Sequence, residues 1–137
     1  MTPAEQGYNM IKILLVGAGG FAGSIMRYCA GKAVTRIAGE HLFPYGTLFV
    51  NVTGCLVIGF LSGLIENRQM LSPNQRIFIM VGFLGGFTTF STFGYEVFGF
   101  ARNGEMINAL VNVGLHGVLG LGAVWAGYLL SKILGDI

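Results

Sequence analysis

The sequence predicts an all-α membrane protein of four transmembrane helices, the third broken near its middle. Three observations predict this fold class. Of the 137 residues, 53% are hydrophobic and 10% are charged, whereas average soluble domains carry about 25% charge. Four segments are long and apolar enough to cross the hydrocarbon layer, which takes about 20 residues each. One of them contains Gly85-Gly86-Phe87-Thr88-Thr89-Phe90-Ser91-Thr92-Phe93. That run of glycine, hydroxyl and aromatic ring is out of place in a lipid-facing helix. Broken backbone at membrane depth is tolerated only where it is buried in protein or lines a wet cavity.

Residues 1–9 read as a polar tail that carries Glu5 but no Lys or Arg. The tail lacks the basic start of a cleavable signal. Residues 10–137 form a single four-span domain. Span 1 covers about 11–34. Its Gly17-Ala18-Gly19-Gly20-Phe21-Ala22 run matches a GxGxxA nucleotide fingerprint. We reject the match, because no strand precedes it and the acidic residue at the right distance, Glu40, falls in a link. Span 2 covers about 45–65. Span 3 covers about 76–100 and is announced by Ser72-Pro73, an N-cap followed by proline at the first helical position. Asn103-Gly104 marks the turn into span 4, about 107–133. The pairs Gly19/Gly23, Gly59/Gly63 and Ala18/Ala22 stand four apart, a spacing that lets helices approach closely in lipid.

Composition excludes several function classes. A net charge of +2 without a Lys/Arg cluster does not suit nucleic acid. Cys29 and Cys55 both fall inside spans and form no CxxC pattern, which argues against a disulfide framework or a zinc site. Ser91 and His116 could be imagined as a hydrolytic dyad, but Ser91 lacks the nucleophile-elbow motif. The chain therefore reads as no enzyme. Charge is also balanced across the membrane. Lys12, Arg68, Arg76 and Lys132 share one face, against Lys32, Arg36, Arg102 and the deeper Arg27. So small a bias permits insertion in both directions, although a single topology with a weak signal is also compatible. Two opposed copies could pair about a two-fold axis.

Within span 3, Gly85-Gly86 lowers helix propensity. The hydroxyls of Thr88, Thr89, Ser91 and Thr92 can re-satisfy freed backbone groups. Freed carbonyls suit a small hard cation, shared if the break meets its symmetry mate. Phe90 and Phe93 are three apart and share a helix face. Their ring edges are weakly positive and can touch an anion without trapping it, as conduction requires. Asn51 offers two amide donors, either to a neighbouring helix or to a passing anion, with Thr47 one turn earlier on the same face. Asn112, His116 and Gly120 form the polar face of span 4, but no second His or carboxylate follows at metal-ligand spacing. Arg27 can line a vestibule, snorkel to the interface, or pair with Glu96.

The stretch GGFTTFSTFGYE resembles the signature of the Fluc (CrcB) family of bacterial fluoride channels. GAGGFAGSIMRY in span 1 and YGTLFVNVTGCLVIGF in span 2 support the resemblance, which runs through nearly the whole chain. It implies an antiparallel dual-topology homodimer in the bacterial inner membrane, with two pores and passive export of fluoride. It implies a structural Na+ at the dimer axis, held by the main-chain oxygens of Gly85 and Thr88. Phe90 and Phe93 match the family's anion-facing phenylalanines, and Asn51 its span 2 amide. Ser91 and Thr92 match its pore hydroxyls, and Arg27 its arginine near an entrance. Span 4 departs from the family's hydroxyl track, so any anion there needs the Asn112 amide and the His116 imidazole as donors. A small multidrug transporter is the alternative of similar size. That class needs a mid-membrane carboxylate, whereas span 1 holds Arg27 and no Asp or Glu.

Overall fold

The computed structural model describes residues 3–39, 43–68 and 70–135. The helices are α1 (Pro3–Ala38), α2 (Tyr45–Arg68), α3 (Pro73–Arg76), a π-helix (Ile77–Leu84), α4 (Gly85–Phe87), α5 (Phe90–Arg102) and α6 (Met106–Gly135). Among the described residues, four segments have the length and composition to cross a membrane: Asn9–Ala38, Tyr45–Glu66, Pro73–Arg102 and Met106–Leu134. The third comprises α3, the π-helix, α4 and α5. Glu40, used above to reject the nucleotide motif, lies outside the described residues.

The first helix starts at Pro3 rather than at Ile11. The polar residues read as a tail are helical from there on. Pro3 suits a first helical turn, and Ala4, Glu5 and Gln6 are strong helix formers. Hydropathy marked where the helix becomes apolar, not where it begins.

Packing follows lipid rules. Large apolar side chains point outward, among them Phe21, Leu121 and Trp125. Lipid tails are as apolar as Leu, so no hydrophobic force drives these side chains inward. Close approach of small residues takes its place. α2 packs chiefly on α6, and α1 on the π-helix. A Cβ added at Gly59 would overlap the Val124 carbonyl, and one at Gly127 would overlap the Leu56 carbonyl. Across the other seam, Gly19 and Gly23 lie on the backbone of Phe78 and Phe83, and Gly86 lies on Gly20. The Gly19/Gly23 and Gly59/Gly63 spacings thus mark real contacts, whereas Ala18 is exposed.

The third span begins as its sequence predicts. Ser72 Oγ accepts from the Gln75 N–H at 3.4 Å, and the Ser72 N–H donates to Gln75 Oε1 at 2.9 Å, a complete capping box. The helix then widens to π geometry over eight residues. Long π segments are rare and often mark functional sites. Here the widening brings Gly82 against Gly19. Gly85 itself is helical, with φ −62° and ψ −36°. Extended backbone comes later, at Thr88 (φ −86°, ψ 159°) and Thr89 (φ −149°, ψ 112°). The glycine pair lowers helix propensity, but Gly86 is spent on the contact with α1. The chain opens at the two threonines that follow.

Candidate anion path and backbone site

Asn51 holds the extended segment in place. Its Nδ2 donates to the Thr89 carbonyl at 3.0 Å, and its Oδ1 accepts from the Thr89 N–H at 2.8 Å. The side chain therefore replaces both backbone partners that Thr89 forfeits by leaving the helix. One amide hydrogen of Asn51 remains after this clamp. Thr89 is also the N-cap of α5. Its Oγ1 accepts from the Thr92 N–H at 3.2 Å and donates to Thr92 Oγ1 at 2.9 Å. The sequence pointed to the Thr89 hydroxyl as a partner for a freed backbone group, and that group is the Thr92 N–H, three residues on, where an N-cap hydroxyl reaches.

These diversions release backbone groups on both sides of the segment. In a continuous helix the Thr89 N–H would bond the Gly85 carbonyl, and the Thr92 N–H the Thr88 carbonyl. Both donors are turned elsewhere. On the following side, the Phe90 and Ser91 amides occupy the first turn of α5, where helical partners do not exist. Carbonyl acceptors thus end one helix and amide donors begin the next. A helix N-terminus favours negative charge and a C-terminus positive charge.

The Gly85 and Thr88 carbonyls fit a small hard cation in donor type. Gly85 is exposed, and a Cβ there would meet nothing within 4 Å. Two oxygens from one chain supply only part of a shell, so a second copy would have to supply the rest. Thr88 O already accepts from Arg27 Nη1 at 3.2 Å, which occupies one of its two lone pairs. This contact is a further partner, beside the three roles open to Arg27 from sequence. The guanidinium is directed to the backbone at Thr88 rather than to Glu96.

Two grooves flank the segment, and Thr89 borders both. One, of about 680 Å³, is lined by Asn51, Phe90, Phe93 and His116. The other, of about 570 Å³, is lined by Arg27, Lys32, Thr47, Thr92 and Glu96. Phe90 and Phe93 lie 5.6 Å apart between centroids and are tilted by 55°. Phe93 in turn lies 4.3 Å from the His116 ring. Phe90 is 83% exposed, so the described residues leave most of it uncovered.

The predicted residues do not share one groove. Asn51, Phe90, Phe93 and His116 lie together, whereas Arg27, Thr47 and Thr92 face the second groove. Ser91 is exposed beside Thr89, with 3.4 Å between hydroxyl oxygens. The Thr47 hydroxyl donates to Glu96 Oε1, so its proton is directed to a carboxylate. Asn112 is fully buried, and neither side-chain polar atom has a hydrogen-bond partner.

A profile described as "CrcB-like protein, Camphor Resistance (CrcB)" matches residues 14–128. The chain is 46% identical over 123 residues to a protein of Elusimicrobium minutum named "Fluoride-specific ion channel FluC", covering 90% of this chain and 95% of the relative. Proteins with the same name from Chlorobaculum tepidum and Rhizobium meliloti are 45% and 42% identical. These alignments cover 90% and 91% of this chain, and 97% and 99% of the relatives. Such names describe transport rather than catalysis. Matched over most of its length and carrying the four membrane-capable segments described above, the chain belongs to the CrcB-like family.

Proposed function

We propose that the chain is a fluoride-selective channel that lets fluoride leave the cytoplasm down its electrochemical gradient. The observation that carries this reading is the pair of extended threonines in the third span. They place unpaired amide donors beside tilted aromatic rings at membrane depth. Fluoride is small and strongly hydrated, so the path must return several donors for the water it removes. The remaining Asn51 amide hydrogen, the Phe90 and Ser91 N–H groups, and the Ser91 and Thr92 hydroxyls are suitable donors. The ring edges of Phe90 and Phe93 add weak attraction. None of these carries a formal charge, so the ion is not trapped. Arg27 raises the anion concentration at the mouth of the second groove.

The uncovered groove at Phe90 and the balanced basic residues support a partner of the same sequence in opposite orientation. Such a dimer would carry two pores in the bacterial inner membrane. Gly85 and Thr88 of each copy would then hold one structural Na+, a fixed positive charge that joins the subunits. Reporters fused to the C-terminus should be active from both sides of the membrane, and activity from one side only would remove the opposed dimer. Stringent Na+ replacement should weaken the dimer in detergent. Unchanged dimer after demonstrated loss of the ion would count against that site.

The direct test of function is efflux from loaded liposomes, followed with fluoride and chloride electrodes. Fluoride should leave quickly and chloride should stay. No fluoride flux, or equal chloride flux, would sink the reading.

A further inference from the structure

Arg27 donates to a carbonyl that the proposed Na+ also needs. Gly19, Gly23 and Arg27 stand four apart on α1, one above another on a helix face. Gly19 lies on the backbone at Phe78 and Phe83, and Gly23 on that at Phe83 and Phe87. Arg27 Nη1 continues the row at the Thr88 carbonyl, 3.2 Å away. Contact of backbone on backbone leaves α1 little freedom to slide, so the guanidinium is held against Thr88. It takes the place of the Thr92 N–H, which has turned to Thr89 Oγ1.

Two positive charges then compete for one oxygen. A guanidinium is not deprotonated in proteins, so its charge is permanent. It repels a cation on the same carbonyl, and its N–H uses a lone pair there. Little on the other side offsets this. Among the described residues, the groove that Gly85 and Thr88 line has no Asp, Glu, Lys or Arg in its wall. In the groove that Arg27 lines, the carboxylate is Glu96, and its Oε1 already accepts from the Thr47 hydroxyl. Lys32, the other cation there, donates to the Tyr28 hydroxyl at 3.3 Å. Arg27 has five N–H donors, and the Thr88 carbonyl takes one of them. An anion on the others would neutralise the guanidinium and ease its hold on the Thr88 oxygen.

We infer that Arg27 lowers the affinity of the Gly85 and Thr88 carbonyls for Na+, and that fluoride in the second groove restores it. One side chain thereby couples the two ions, and no covalent bond changes. The inference rests on the proposed Na+ site and the channel reading, and adds a linkage between them.

Binding of radioactive sodium to the purified protein in detergent tests it, by equilibrium dialysis with a large organic cation as the replacing salt. Without fluoride, Arg27→Gln removes the charge and should bind Na+ about tenfold more tightly than wild type. Arg27→Lys keeps the charge and should stay within about twofold of wild type. If Arg27 served only to hold the carbonyl in place, both variants would bind Na+ more weakly. That result, or equal affinity in wild type and Arg27→Gln, would overturn the inference. In wild type, replacing chloride by fluoride should tighten Na+ about fivefold, and Na+ should tighten fluoride by the same factor. A wild-type affinity that fluoride leaves unmoved, which needs no variant to observe, would also overturn it. So would an equal fluoride shift in Arg27→Gln. A wild type that binds no Na+ at any concentration would instead overturn the Na+ site, and this inference with it. Fluoride efflux from liposomes, measured in parallel, decides the channel reading separately.

Discussion

Replacing Asn51 by Leu should abolish fluoride flux and destabilise the protein by about 2–5 kcal/mol, the cost of two buried backbone groups left unpaired. Leu is close to Asn in size, so the change removes hydrogen bonds more than volume. The Thr89 N–H and carbonyl would each lose the partner that Asn51 provides at 2.8 and 3.0 Å. To recover partners, the backbone at Thr88–Thr89 would close toward a continuous helix. The donors and acceptors freed at the extended segment would then be consumed. Asn51→Asp separates the two halves of the clamp. It keeps an acceptor for the Thr89 N–H but sets a carboxylate oxygen against the Thr89 carbonyl, so stability should fall here too. Denaturant unfolding in detergent and liposome efflux measure the two effects. Wild-type flux from Asn51→Leu would show that the clamp does not shape the path.

The second large effect is expected at the aromatic pair. Phe93→Ile and Phe90→Ile should each lower fluoride flux about tenfold or more, equivalent to about 1.4 kcal/mol of barrier. Isoleucine is apolar but has no quadrupole to present to an anion. The two variants differ in their side effects. Phe90 is largely exposed and touches little of its own chain beyond Phe93. Its replacement should leave expression and unfolding unchanged. Phe93 also lies against His116, so Phe93→Ile should loosen the α5–α6 seam as well. Cross-linking in detergent would report whether a dimer persists. Unchanged flux in both variants would remove the rings from the path.

Much of this architecture can be read from the chain. Four apolar segments, the Ser72-Pro73 start and the glycine spacings each follow from a strong physical constraint. Lipid forces long apolar runs, helix starts need capped amides, and helices without a hydrophobic drive meet through small residues. The site is legible in composition more than in geometry. The sequence draws attention to Gly85-Gly86, since glycine is the obvious place for a chain to bend. Yet Gly85 is helical, and the extended residues are Thr88 and Thr89. Propensity is local, whereas this conformation depends on Asn51, 38 residues away. The π-helix was also unreadable, because Ile77–Leu84 is apolar throughout and its widened turns are set by the seam with α1. Arg27 illustrates the same limit. Its depth was evident, but its partner is a carbonyl, and every residue has one of those.

The clamp at Thr89 has one further consequence. The groups it liberates are peptide bonds, at Gly85 and Thr88 on one side and at Phe90 and Ser91 on the other. Genetic substitution changes side chains and leaves those bonds untouched. An alanine scan would therefore credit the asparagine and the threonines with work done by the chain's invariant part. Swapping single amides for esters, which deletes one N–H and weakens one carbonyl without altering any side chain, would address the working groups directly. In the proposed channel, the residues that hold the backbone open encode groups that belong to the backbone itself.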